Sequence, residues 1–209
     1  LDPAQIGEVN SDEFMGNVCD SLLTTAYDDP SKLLPHLAES WTRSPDGLTY
    51  TFKIRQGLKH PSGNPVTAED AAWSMRRIIW LNFGNAASLT QWGFSKENIE
   101  KSVRATDPST LLVTFDKPYP ESLILPAIFT GRSAYAIDKV EVLKNAKGDD
   151  HGNAWLKQNS ACVGPYKLRS HTANETLILE RNEGYWKGPV PLRRAIATCM
   201  RSRSGSRGG

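Results

Sequence analysis

The stretch Gly47–Ile79, GLTYTFKIRQGLKHPSGNPVTAEDAAWSMRRII, decides how this chain is read. Its first part alternates Leu48, Tyr50, Phe52 and Ile54 with Thr49, Thr51, Lys53 and Arg55. A period of two gives an extended chain one apolar and one polar face, which predicts a half-buried strand. Asp46-Gly47 just ahead is a turn signal, because glycine tolerates positive φ. In the second part Ala71, Ala72, Met75, Ile78 and Ile79 recur at helical spacing, which predicts an amphipathic helix with one buried face. Thr67 with Asp70 three residues on reads as a capping box, and Glu69 and Asp70 suit the positive end of the helix dipole. Between the two parts Gly57, Pro61, Gly63 and Pro65 forbid regular structure.

Outward from there, 209 residues allow one domain or two. An apolar content of 39% with six Trp supports a packed core rather than disorder. The net charge is +2, but Arg201, Arg203 and Arg207 all lie past residue 195, where no acid occurs, so the remainder stands at −1. Such a body is not a basic, nucleic-acid-like surface. No apolar run approaches the ~20 residues that span a bilayer. Leu1-Asp2-Pro3 has neither the charged nor the apolar region of a signal peptide. Three cysteines, Cys19, Cys162 and Cys199, leave an odd one, and buried or incidental thiols are expected rather than a disulfide framework.

In chain order, Leu1–Ala4 is read as a short extended start and Gln5–Asn10 as a loop. Ser11 and Asp12 can cap a helix that turns Phe14, Met15, Val18 and Leu22 inward. Trp41 is read as a core or hairpin aromatic. Residues 81–94, LNFGNAASLTQWGF, read as an irregular loop with small residues, Asn85, Gln91 and Trp92, the kind of segment where binding residues concentrate. Val103 and Ala105, a turn at Asp107-Pro108-Ser109, then Leu111, Val113 and Phe115 make a second hairpin. Glu121–Phe129 holds Pro126, so a helix there is brief or kinked. A helix is expected over Tyr135–Ala146 and a helical patch over Ala154–Lys157. A third hairpin pairs Tyr166 and Leu168 with Leu177 and Leu179 and turns at Thr172–Glu175. Ile196–Gly209, IATCMRSRSGSRGG, has no strand period and ends in Ser, Gly and Arg, so a disordered or out-of-frame tail is expected.

Several of these segments together resemble the signature of the family 5 extracellular solute-binding proteins, the peptide and nickel receptors of ABC importers. The first match is Leu48–Arg55, Gly57, Gly63, Pro65, Thr67–Asp70, Ser74 and Arg76, with Pro61-Ser62 departing from an aromatic-Asp pair. Gly16–Val18, Ser21–Leu23 and Leu34–Trp41 extend it, and Gly164–Leu168, Thr176–Asn182 and Tyr185-Trp186 form a second strong match. Cys162-Val163 stands where the family has a small pair, a change expected to tighten the packing.

The resemblance implies an α/β, type II periplasmic-binding-protein-like fold, with this chain stopping before the second lobe. Residues 1–19 and 130–195 would form the first lobe, 20–129 a family-specific extra domain, and 196–209 the tail. It implies capture of peptides or peptide-like solutes outside the cytoplasmic membrane, in the periplasm, by hinge closure, and delivery to the permease subunits of the importer. The chain would be a monomer with no cofactor, no metal and no nucleic-acid partner. By position, the ligand-binding residues would be Gly7 and Val9 in the loop after the first strand, and Ala86, Ser88, Gln91 and Trp92 in the loop after the central helix. Trp92 would stack on a ligand side chain and Gln91 hydrogen-bond it. The 47–79 stretch itself is expected to build the fold and touch no ligand.

Enzyme chemistry has no support. GxSxG, HExxH, GxGxxG and P-loop spacings are absent, and His36, His60, His151 and His171 stand singly without metal-ligand spacing. No acid pair stands out as a general acid/base couple, and Asn174-Glu175-Thr176 is only formally a glycosylation sequon. Two alternatives stay open. The transported solute is an opine, glutathione, an oligosaccharide or a nickel chelate; or, in a different class, the Arg/Ser tail makes this a nucleic-acid-binding or scaffold protein.

Overall fold

A computed structural model describes residues 2–5, 9–172 and 175–198, with backbone only over 9–13. Pro3–Gln5 form a turn rather than an extended start, and helix α1 spans Val9–Val18. Ser11 and Asp12 therefore lie inside the helix rather than capping it, while Leu22, expected on its inner face, is buried beyond its end.

The chain then enters a small hairpin, β1 (Leu23–Thr25) with β2 (Leu33–Pro35), and a four-stranded antiparallel sheet. That sheet takes β3 (Ala38–Arg43), β4 (Thr49–Ile54), β5 (Val103–Asp107) and β6 (Thr110–Thr114) in the order β3-β4-β6-β5. The alternation holds: Tyr50, Phe52 and Ile54 are buried, while Lys53 is exposed. Trp41 is opposite Phe52 and partly buried against the same core, the hairpin role expected of it.

Helix α2 (Ala68–Leu81) begins at the expected capping box: the Thr67 hydroxyl accepts from the Asp70 amide, and the Asp70 carboxylate accepts from the Thr67 amide at 2.8 Å. It ends at Asn82 in the left-handed conformation. One face meets the sheet, as predicted. The other is not solvated: Trp73, Ser74 and Arg77 are buried as well. The helix lies between two hydrophobic clusters, one built on Tyr50, Phe52, Met75, Ile78, Val113 and Phe129, the other on Met15, Val18, Trp73, Ile137, Tyr166 and Leu179. A helix with cores on both sides has no wet face, so periodicity alone undercounts its burial.

Residues 81–94 are more ordered than expected, with a 3-10 turn at Gly84–Ala86 and the single-turn helix α3 (Ala87–Thr90), which bury Asn85, Ala86 and Leu89. Helix α4 (Ile99–Ser102) leads into β5, and α5 (Glu121–Phe129) is the brief helix that Pro126 allows. Only Lys139–Lys144 of the Tyr135–Ala146 segment is helical (α6), because Tyr135 and Ile137 bridge to Ser21 and Cys162 in extended conformation. Helix α7 covers Asn153–Leu156.

The last sheet is β7 (Tyr166–Thr172), β8 (Thr176–Arg181) and β9 (Arg194–Thr198), antiparallel throughout. Ile196–Thr198, read above as the start of the tail, belong to β9, where Ile196 is opposite Ile178 and Thr198 opposite Thr176. Alternating exposure along β9 shows a strand period hidden in the sequence by small residues. Residues 199–209, including Cys199, lie outside the described residues, as does Asn174 of the sequon.

One expectation about cysteine fails outright. Cys19 and Cys162 form a disulfide, their Cα atoms 4.8 Å apart and 143 residues distant in sequence. The two backbones run together there, since the Asp20 amide donates to the Val163 carbonyl and a Cβ on Gly164 would run into the Val18 carbonyl. No helix of the described residues is long and apolar enough to cross a membrane.

Candidate ligand-binding site

One of the segments expected to hold ligand, the loop after α2, meets the first turn of the chain, which lies ahead of the Gly7–Val9 segment. The amide of Asn85 donates to the Ala4 carbonyl at 3.3 Å, and its side-chain Nδ2 donates to the Pro3 carbonyl at 3.1 Å. Asn85 is 2% exposed, and its Oδ1 accepts from Arg132 Nε. The residue pins the start of the 85–92 loop to the first turn of the chain. Ser88 extends the contact: its hydroxyl donates to the Asn85 carbonyl at 2.6 Å and lies 2.7 Å from the hydroxyl of Ser133.

The individual site residues fare differently. Ala86 is buried and lines the core rather than a surface. Ser88 is half-buried and Gln91 exposed. Trp92 is half-buried, edge-on to Tyr119 with ring centroids 5.2 Å apart, in a group continued by Phe115 and Phe94. Its indole Nε1 is buried with no hydrogen-bond partner among the described residues. Burying a donor without a partner costs free energy, and at Trp92 that donor is closed off from the surface. Gly93 follows with φ +85°, and a Cβ there would meet the Asp116 carboxylate, so only glycine fits. Val9 begins α1, and Gly7 lies outside the described residues.

Sequence reading missed the polar groups that hold this region. Arg77, not the matched Arg76, is the buried cation of α2, 1% exposed. Its guanidinium forks onto the Asp2 carboxylate, with Nη1 at 2.6 Å from Oδ1, and its Nε donates to the His151 carbonyl at 2.8 Å. Asn153 donates to Asp2 Oδ2 at 2.7 Å and to Gln5 Oε1 at 3.2 Å. Beside the Pro61-Ser62 departure from the motif, the ring buried in the 59–65 turn is that of His60, 3% exposed.

A second polar cluster ties the end of the chain to its beginning. Buried Asp20 accepts from Trp186 Nε1 at 2.7 Å and from the Tyr185 hydroxyl at 3.2 Å. Burial pushes the Asp20 carboxyl up, against the pull of these two bonds and of Lys187. His36 Nε2 lies 3.5 Å from Asp20. Burial first, then the charges of Lys187 and Arg55, hold the His36 pKa down to about 4, so near neutral pH the contact is imidazole to carboxylate and not an ion pair. Arg55 and Lys187 both lie over the Trp186 ring, at 5.1 and 4.9 Å. Asp20, Tyr185 and Trp186 face one another within the fold, which suits a structural tie, while His36 Nδ1 is buried with no hydrogen-bond partner among the described residues.

The model of bacterial extracellular solute-binding proteins, family 5 middle, matches residues 32–205. This chain belongs to that family. Family 5 proteins bind solutes and are not enzymes, which agrees with the absence of catalytic motifs in the sequence. The periplasmic oligopeptide-binding protein OppA of Haemophilus influenzae is 30% identical over 200 residues, covering 89% of this chain and 35% of that protein. Its crystal structure in complex with RPPGFSPFR superposes with a TM-score of 0.74 over 89% of this chain and 36% of that one. Campylobacter jejuni NikZ, solved with Ni(L-His), shares the fold with a TM-score of 0.75 at 24% identity, over 95% of this chain and 36% of that one. The mixed α/β fold is thus that of the family's binding proteins, and the chain spans about a third of the length of the relatives it matches.

Proposed function

We propose that this chain forms part of a receptor that captures peptides outside the cytoplasmic membrane and delivers them to an ABC permease. The observation that carries this reading is the 30% identity to Haemophilus influenzae OppA, a protein solved with a nine-residue peptide. The Cys19–Cys162 disulfide supports an oxidising, extracytoplasmic compartment, since such bonds are rare where thiols are kept reduced. In this reading the peptide lies along Val9 and Gly7 on one side and Ser88, Gln91 and Trp92 on the other. The exposed Gln91 amide offers a hydrogen bond, and the half-buried Trp92 ring offers its accessible face. Ala86 supports the loop from beneath. Most of the hydrophobic cluster containing Met15, Ile137 and Tyr166 would belong to the first lobe, 1–19 and 130–195, and most of the cluster under the four-stranded sheet to the extra domain, 20–129, with Trp73 on one side and Ala4, Ala134, Ala136 and Val163 on the other packing across that division. Closure of a second lobe over the peptide would strip its water and strengthen each bond.

A titration followed by NMR tests the reading. Millimolar tri- to pentapeptides should shift the amides of Ser88, Gln91 and Trp92, and Trp92→Ala should abolish the response. Equal concentrations of glutathione, an oligosaccharide or nickel-histidine should leave these amides in place. Shifts produced by one of those solutes and not by peptides would transfer the reading to that solute.

A further inference from the structure

The buried charges at the root of the candidate site do more than hold the fold. Asp2 and Arg77 are 3% and 1% exposed, and the carboxylate is fully occupied: by the guanidinium fork, by Asn153 Nδ2 and by the amide of Ala4 at 3.0 Å. Arg77 is held in turn by the His151 carbonyl and by the face of Trp73, 5.7 Å away. Taking such a pair out of water costs about as much as its attraction returns, so apolar side chains of similar size would serve stability equally well. What apolar side chains would not supply is direction. Each bond to Asp2 fixes where the chain turns, and the Gln5 amide closes that turn on the Asp2 carbonyl at 3.0 Å. The turn then receives Asn85 from the opposite loop through the carbonyls of Pro3 and Ala4.

We propose that Asp2, Arg77 and Asn153 are positioning residues for ligand binding, a triad that sets the first turn of the chain against the Asn85–Trp92 loop. The claim rests on the peptide reading for its purpose and on the hydrogen bonds alone for its geometry. The triad links the centre of α2 and the start of α7 to the turn, so three elements distant in sequence agree on one placement. Asp2 to Asn153 spans 151 residues and Asp2 to Arg77 spans 75.

Amide hydrogen exchange on the 209-residue chain tests the triad without ligand. Two variants are compared with the parent: Asn153→Ala, which leaves the ion pair, and the double variant Asp2→Leu/Arg77→Met, which replaces it with apolar groups. The reporters are the Gln5 amide, bonded to Asp2, and the Asn85 amide, bonded across to Ala4; the reference amides are Phe52 and Val113 in the sheet. Positioning predicts at least a tenfold acceleration at Gln5 and Asn85, with the reference amides within twofold of the parent. Equal acceleration at all four amides would mean a purely structural role and overturn the proposal, as would no change at the reporters. Failure of both variants to fold would make the triad a requirement of folding and overturn it equally. Because no peptide is present, a negative result leaves the peptide reading standing, and a failed peptide titration leaves the placement of the turn standing.

Discussion

At the scale of single residues, His36 makes the protein sensitive to acid. Its folded pKa of about 4 lies below the ordinary 6.5, so between those values the unfolded chain binds the extra proton and the folded one does not. Stability contributed by the neutral ring is present above pH 6.5 and is lost as pH falls toward 4. At about 1.4 kcal/mol per pH unit across that window, the ceiling is about 3 kcal/mol. Asp20 acts in the opposite sense. Its folded pKa is raised by burial, so its penalty is present at neutral pH and is relieved on acidification, which blunts the loss. Urea denaturation at pH 7 and pH 4.5 should show the parent losing more stability than His36→Gln; equal losses would remove His36 from the account. Gly164 is a second residue-scale case. Its would-be Cβ meets the backbone of Val18 and Cys19, which cannot swing aside as a side chain can. Gly164→Ala should therefore destabilise by about 3 kcal/mol or more, read as a lower denaturation midpoint with an unchanged slope.

At the scale of elements, the disulfide joins the end of α1 to the strand-like segment before β7 and closes a loop of 143 residues. Chain entropy assigns about 5 kcal/mol to a loop of that length, an upper figure because unfolded-state structure reduces it. Thiol titration of the denatured, unreduced protein should count one free cysteine, Cys199, and a count of three would contradict the pairing. Reduction or Cys19→Ser/Cys162→Ser should lower the melting temperature by several degrees, since ~1 kcal/mol moves a chain of this size by roughly 2–4 °C. The start of α2 offers a smaller, cleaner change. Thr67→Ala removes the side-chain bond to the Asp70 amide and the hydroxyl bond at 2.7 Å to its carboxylate. A loss of about 1 kcal/mol is expected, with Thr67→Ser retaining most of it.

For the molecule as a whole, the chain spans about a third of the length of its relatives, and that bears on affinity. A receptor that encloses its ligand gains bonds from both sides, whereas on the peptide reading proposed above the loops of this chain would meet a peptide from one. Each missing hydrogen bond to a charged group of the peptide is worth roughly 1.5–3 kcal/mol. Two or three of them, at 1.4 kcal/mol per tenfold, turn a micromolar site into a millimolar one. Calorimetry of this chain with a mixed di- to pentapeptide pool should accordingly detect no micromolar binding. Micromolar affinity abolished by Trp92→Ala would instead make these loops a self-sufficient site.

The sequence by itself determined what depends on near neighbours. The alternation from Thr49 to Ile54, the Thr67–Asp70 cap, the hairpin around Asp107–Ser109 and the pairing of Tyr166–Leu168 with the strand carrying Leu177 and Leu179 all follow from periods and side-chain chemistry within a few residues, and the structure has them where those patterns put them. The family, too, was written in those same short motifs. Only the tertiary structure decided what depends on partners far along the chain. No local period distinguishes Arg77 from Arg76; the difference is that Arg77 points into the gap between two cores, where Asp2 waits. Cys19 and Cys162 read as separate thiols until the chain brings their backbones together. Residues 84–90 read as loop because Gly, Asn, Ala and Ser carry little pattern, yet contacts with Pro3, Ala4 and Ser133 order them. Local patterns report the cost of arranging a segment, whereas a buried ion pair, a cross-link or a pinned loop depends on where the rest of the molecule lies.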